Sequence, residues 1–336
     1  MALPTVDQVA GSLLGLALGD ALGAPVEACP PDDARRYAED VLRDRRPLTR
    51  GRHGYPFGQI TDDTQLTREL LLSIAETGDF DPVAFAKRLL NFVASGRLVG
   101  GGPASNLAAR QLALGRPWHD AGMPAPYAGN GAAMRAGPLG LLFGRESRKL
   151  VQVVADQARV THQDPRCAAG ALAIAGAAAI AARGAPLAAV DVLAELSAWV
   201  EPLDARVAAA LWAMLEWVHL APDQAVEALA LQGLEPEPRV EGWHGVSSFV
   251  TSSVCWSLYS FLRAPEDYWE SVCIAIGVGG DTDTLAAMTG SITGARCGVS
   301  ALPAEPVGSL VDGGERLAPA LTALAAAVHA GMGGEE

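Results

Sequence analysis

Residues 6–22 read VDQVAGSLLGLALGDAL. Apolar side chains recur there at three- and four-residue spacing, the period of an α-helix. The same period returns over 64–76, 81–95, 103–114, 146–159, 166–183, 187–200 and 206–220. It continues over 248–263, 265–276, 284–296 and 316–330. Alternating runs rich in Val, Ile and Thr and bounded by turn residues, the mark of strands, are missing. The chain is therefore expected to be all-α, with no sheet larger than a hairpin. Pro and Gly punctuate the helices without forming a long linker, which predicts one domain over 1–336. The stretch 233–245 is the one candidate hinge, and residues 333–336 are expected to fray.

Half of the 336 residues are hydrophobic, which is ample for a large core, yet only 6% are aromatic. Abundant Ala and Gly suit close helix packing. The formal net charge of −13 argues against nucleic acid and against anionic lipid as partners, because both repel an acidic surface. Five cysteines without a CxxC pair fit core thiols in a reducing compartment better than a disulfide framework. No Lys or Arg precedes the apolar residues 10–18, and Asp20 and Glu27 follow them, unlike a secretory leader. The apolar run 168–182 is shorter than the roughly 20 residues that span a bilayer. These features predict a cytoplasmic protein.

Two carboxylate clusters carry the chemistry: Thr61-Asp62-Asp63-Thr64 and Gly279-Gly280-Asp281-Thr282-Asp283-Thr284. Each begins a helix, where Asp ordinarily offsets the exposed N–H groups and the positive end of the dipole. Taken together they supply four carboxylates and flanking hydroxyls, an all-oxygen set of the kind that hard divalent cations require. No His/Cys set with zinc spacing competes. The double glycine before Asp281 permits a sharp turn. Asp20, inside an apolar helix, needs a partner; Glu27, just past a helix end, is either a further site acid or a surface residue. Gly129-Asn130-Gly131-Ala132-Ala133-Met134-Arg135 reads as a ligand contact: it joins a small-residue turn to an amide and a guanidinium, and a helix beginning near Ala132 would offer N–H groups to a phosphate. In Thr161-His162-Gln163-Asp164-Pro165 the His is either a ligand contact or a cap or surface residue.

In this order and spacing, GSLLGLALGDALGAPVE, ITDDTQLT, GNGAAMR, THQDPR and GGDTDTLAAMTGSITGA closely resemble the ADP-ribosylglycohydrolases over about residues 6–298. The resemblance implies one compact helical domain with a pair of Mg²⁺ or Mn²⁺ ions in a cleft. It implies metal ligands at Thr61, Asp62, Asp63, Asp281, Asp283 and Thr284, with Glu27 beside the metals and Glu27, Asp62 or Asp283 active in catalysis. It places Asn130, Gly131 and His162 in the ADP-ribose pocket and Gly100, Gly101 and Gly102 near the diphosphate. The segment Pro126-Tyr127-Ala128 departs from the acidic residue that some relatives carry ahead of the GNG turn.

The implied reaction is hydrolysis at C1″ of the distal ribose of ADP-ribose attached to an acceptor, foremost a protein arginine. The implied partner is an ADP-ribosylated protein or a small ADP-ribose conjugate, with the enzyme a monomer or weak homo-oligomer. Serine, nucleic-acid and O-acetyl linkages are alternatives, as is a phosphoester or nucleotide hydrolase on the same dimetal scaffold. A non-catalytic, metal-stabilised binding protein is the third reading; it would be marked by loss of an aspartate, and all four are present.

Overall fold

Thr5 starts the first helix. Its hydroxyl accepts from the Gln8 amide at 3.2 Å while the Gln8 side chain accepts from the Thr5 amide at 2.9 Å, a reciprocal cap that satisfies two exposed donors. The computed structural model describes residues 4–52, 54–232 and 245–332. Its helices are α1 (Val6–Gly23), α2 (Pro31–Arg36), α3 (Asp62–Thr77), α4 (Pro82–Ala94), α5 (Pro103–Ala113) and α6 (Gly137–Phe143). Next come α7 (Ser147–Thr161), α8 (Pro165–Ala181), α9 (Ala189–Val200), α10 (Ala205–Ala213) and α11 (Pro222–Ala230). The last are α12 (Val250–Arg263), α13 (Tyr268–Gly277), α14 (Thr282–Cys297), α15 (Ala304–Gly308) and α16 (Ala318–Met332). Among the described residues the only strands are β1 (Val311–Asp312) and β2 (Glu315–Arg316), a hairpin turned by Gly313 and Gly314. The all-α expectation holds.

Every residue of α1 from Val9 to Gly23 is buried. Helix α1 is long and apolar enough to cross a membrane, but its surface is covered by protein. All its faces are enclosed over that length, as in a central core helix. The packing explains this. Gly11, Gly15, Gly19 and Gly23 form a four-residue ladder against α14, and a methyl on any of them would overlap the backbone of Gly294, Gly290, Ala286 or Thr282, respectively. The two helices therefore run antiparallel in backbone contact. The C-terminal end of α1 thus meets the N-terminal end of α14, and with them the Asp20–Glu27 segment meets Asp281 and Asp283.

Several elements depart from the periodicity reading. Helices α2, α6, α11 and α15 were not foreseen: each has nine residues or fewer, too short for a period to register. The expected helix 206–220 is α10 followed by a 3₁₀ turn, Met214–Glu216. No α-helix begins near Ala132; Asn130–Ala132 is a 3₁₀ turn and α6 starts at Gly137. Most of the candidate hinge and the expected frayed end lie outside the described residues.

Candidate functional site

Three helix starts and one helix end meet around a cavity of about 190 Å³. Helix α1 ends in a short 3₁₀ turn that carries Glu27 to the rim. Helix α3 brings Asp62 and Asp63, and α14 brings Asp281, Asp283 and Thr284. The start of α5 contributes Gly102, Pro103, Ala104 and Ser105. Gly279 and Gly280 take φ of +76° and +92°, the left-handed region that favours glycine. This is the sharp turn expected before Asp281, fixed where the Asp281 amide donates to the Val246 carbonyl at 2.9 Å.

Asp20 finds its partner at the start of α3. Its carboxylate accepts from the Thr61 amide at 3.0 and 3.1 Å, the Thr64 amide at 3.2 Å and the Thr64 hydroxyl at 2.5 Å. It does the work of an N-cap from another helix, which locks the TDDT loop onto α1. Thr61 caps α3 locally and donates its hydroxyl to Asp63 Oδ2 at 3.3 Å; it is not among the residues facing the cavity. Thr284 donates to that same Oδ2 at 3.3 Å, which ties the two sequence clusters together.

The carboxylates crowd one another. Ligand atoms of Glu27, Asp281 and Asp283 all lie within 4.8 Å of one another. One cation offsets them: Arg52, with Nη2 2.6 Å from Glu27 Oε2 and Nη1 3.3 Å from Asp283 Oδ2. Burial, then the charge of Asp283, pushes Glu27 up to about 9, with Arg52 pulling the other way. The same two causes raise Asp62 to about 7 and move Asp63 and Asp281 well above the usual carboxylate range. Asp20 rises to about 7, again through burial and Asp283. Like charges without enough counter-charge prefer to hold protons.

That imbalance tests whether metal fits. Five carboxylates and one guanidinium line the cavity, a formal charge of −4 when all are ionised, which two divalent cations would balance. Asp63 Oδ1 is buried and has no hydrogen-bond partner, a costly state unless something else binds it. The donor set is oxygen throughout, as Mg²⁺ and Mn²⁺ prefer. The residues fit a dimetal centre.

At the other end the cavity is bounded by Tyr127, Gly129, Asn130, Gly131, Met134, His162 and Ser248. The Asn130 side chain donates to Asp281 Oδ2 at 2.6 Å, so it also orients a candidate ligand. The His162 backbone closes α7, but its ring is buried, stacked on Tyr127 with centroids 6.0 Å apart. The surface-residue alternative for His162 is thereby removed. Burial, aided by Arg135, lowers His162 to about 3, so the ring is neutral. Its Nδ1 lies 2.8 Å from the Thr161 hydroxyl, whose oxygen already accepts from Arg135 at 2.8 Å. Its Nε2 is the nitrogen beside Gly129 and Gly131. Arg135 itself is fully buried and donates to the Gly131 carbonyl at 2.6 Å and to Gln157 Oε1 at 2.7 Å. Its guanidinium, read from sequence as a ligand contact, instead fastens the GNG turn to α7.

Residues 1–335 match the family described as ADP-ribosylglycohydrolase. The chain belongs to the ADP-ribosylglycohydrolase family. It is a hydrolase of that class. It is 34% identical over 172 residues to the ADP-ribosyl-[dinitrogen reductase] glycohydrolase of Rhodospirillum rubrum, covering 50% of this chain and 55% of that one. It is 24% identical over 320 residues to the ADP-ribosylarginine hydrolase Tri1 of Serratia proteamaculans, covering 92% of this chain and 76% of the relative. A solved structure, an ADP-ribosylglycohydrolase-related protein complex, superposes with a TM-score of 0.69 at 30% identity, over 97% of this chain and 98% of that one.

The glycohydrolase cavity gathers Glu27, Asp62, Asp63, Gly100, Gly102, Asn130, Gly131, His162, Asp281, Asp283 and Thr284, all foreseen from sequence. Gly101 turns aside: a Cβ there would meet Leu98 rather than the cavity. Arg52, Tyr127 and Ser248 were missed. Arg52 and Tyr127 stand in coil without periodicity, and a lone Arg beside Gly51 carries no signal until its partners are known.

Proposed function

We propose that this glycohydrolase removes ADP-ribose from protein arginine by hydrolysis at C1″, with Mg²⁺ or Mn²⁺ held by Asp62, Asp63, Asp281, Asp283 and Thr284. The observation that carries the arginine assignment is Arg52. A guanidinium lies between Glu27 and Asp283 at 2.6 and 3.3 Å, so the acidic end of the cavity accepts that group by size and charge. The Serratia relative is named as a hydrolase of ADP-ribosylarginine, which supports the same choice.

When bound, the metals lower the pKa of a water and polarise ribose hydroxyls. The chain does the rest. His162, with its ring proton on Nε2, and the Ala104, Ser105 and Gly131 amides hold the diphosphate. Tyr127 offers an aromatic face beside it. The distal ribose then lies at the carboxylate end, where C1″ is positioned against the attacking water. Glu27 takes a proton from that water on a carboxylate oxygen as the new C1″–O bond forms. The C1″–N bond breaks, its electrons remain on the guanidine nitrogen, and a proton is returned to that nitrogen.

A turnover panel tests this: ADP-ribosylated arginine, serine and nucleic acid, and O-acetyl-ADP-ribose, each with Mg²⁺ and with chelator. The arginine conjugate should be cleaved fastest and chelator should stop it. Cleavage of another conjugate with the arginine one untouched would overturn the assignment.

A further inference from the structure

A second cavity, of about 760 Å³ against about 190 Å³ for the first, abuts the carboxylate end. It lies between α3, residues 96–100 and the β1–β2 hairpin, and the two cavities share Arg52 and Gly100. The wall between them is thin. Gly100 takes a φ of +79°, and a Cβ on it would press on Arg52 Nη1 and come within 3.3 Å of Asp62 Oδ1. Whatever departs from C1″ therefore has this space beside it, and its volume lies within the roughly 300–1,000 Å³ of pockets that bury ligands.

The charges in the wall are unequally matched. Arg68 is spent on Asp312 at 2.7 Å, Glu69 on Arg88 at 2.8 Å, and Arg52 on Glu27. Arg97 lies over the Phe92 ring and donates to the Ser95 hydroxyl at 3.2 Å. Among the described residues neither Arg97 nor Arg316 has a carboxylate partner, and both are exposed. Glu315 is the one unmatched acid. A local cationic excess on a chain of net charge −13 selects an anionic ligand. Leu72, Leu98 and Leu317 add apolar surface. That apolar surface suits the side chains of a polypeptide better than a phosphate backbone, so nucleic acid fits poorly. A polypeptide with acidic and apolar side chains fits.

We infer that this cavity is the acceptor subsite, and that it binds an acidic polypeptide segment flanking the modified residue, with Arg97 and Arg316 as its specificity determinants. The inference rests on the proposed direction of ADP-ribose in the first cavity. The test compares two substrates, free ADP-ribosyl-arginine and an ADP-ribosylated peptide with Asp and Glu on both sides of the arginine. Two variants are used, Arg97→Glu with Arg316→Glu, and the milder Arg97→Ala with Arg316→Ala. ADP-ribose affinity is measured by calorimetry and folding by thermal unfolding. KM for the peptide should rise about tenfold or more in the charge-reversed protein and less in the alanine pair, with kcat held, as for loss of uniform binding. ADP-ribosyl-arginine turnover and ADP-ribose affinity should stay within about twofold. Equal effects on both substrates, no effect on either, or a selective loss confined to an ADP-ribosylated oligonucleotide would overturn it. If the parent neither binds ADP-ribose nor cleaves either substrate, the functional reading fails and takes this inference with it. If the parent does both and the variants fail to discriminate, this inference alone fails.

Discussion

The Arg52 guanidinium stands 2.6 Å from Glu27 Oε2, both side chains about 15% exposed, in a cavity whose other charged groups are all acidic. An ion pair this enclosed is screened little by solvent, so removing one partner leaves the other uncompensated. It also sets the guanidinium in direct competition with any divalent cation that seeks Glu27 or Asp283. Arg52→Gln should therefore bind Mn²⁺ about tenfold more tightly, a change of about 1.4 kcal/mol, while its metal-free form melts earlier. Calorimetric titration of both chelator-stripped proteins checks this. Weaker Mn²⁺ binding in Arg52→Gln would mean that Arg52 supports the metals instead of opposing them.

Metal removal should have a pH signature. Glu27 is raised to about 9 and Asp62 to about 7, against about 4 for such carboxyls in an unfolded chain. Between pH 4 and 9 the metal-free folded state holds more protons than the unfolded one. Its stability is thus fully present below pH 4 and declines as pH rises through that window. Divalent cations bind the deprotonated carboxylates and offset the loss. The rise in Tm on adding Mg²⁺ should be clearly larger at pH 8.5 than at pH 6. A rise that is equal at both values, or larger at pH 6, would refute the argument.

The α1–α14 crossing gives a packing prediction. A methyl on Gly19 would overlap the Ala286 backbone, and a carbonyl cannot rotate away as a flexible side chain can. Gly19→Ala should cost about 1–3 kcal/mol, the usual price of overpacking, and should push Asp20 off the start of α3. Loss of Mn²⁺ affinity should accompany the loss of stability. Thermal unfolding and metal titration of the same preparation test this, and wild-type values in both would show that the helices separate freely.

Much of this site was legible in the sequence because its residues are local to helix starts. Asp62 and Asp63 on α3, and Asp281 and Asp283 at α14, announce themselves as two Thr-flanked clusters of acids. What brings them together was present but unread: Gly11, Gly15, Gly19 and Gly23 recur every four residues, and Gly290 and Gly294 keep the same spacing. A glycine ladder matched on two helices is a signal for backbone contact. Arg135 was misread because an Arg next to a GNG turn looks alike whether it faces a ligand or a buried Gln157. Arg52 was invisible, since its ion-pair partners Glu27 and Asp283 lie far from it in sequence.

His162 supplies the last prediction, and its neutrality supplies the sign. Its folded pKa of about 3 lies below the unfolded value of about 6.5. Below pH 6.5 the unfolded chain takes up a proton that the folded ring refuses, so this group lowers stability as pH falls from 6.5 towards 3. Above 6.5 it has no such effect, and across pH 6–8 the ring stays neutral. ADP-ribose affinity over that range should therefore show no titration that disappears in His162→Gln, although the variant's affinity should fall about tenfold as one hydrogen bond to the ligand is lost. Mn²⁺ affinity should be unchanged, because His162 touches none of the five acids. Asp63→Ala is the opposite case: its Oδ1 is the buried oxygen left for a metal, so Mn²⁺ binding should collapse. Calorimetry with ADP-ribose and with Mn²⁺ on both variants separates the two roles. If His162→Gln binds ADP-ribose as tightly as the parent, the ring is only packing against Tyr127 and the ligand's diphosphate lies elsewhere.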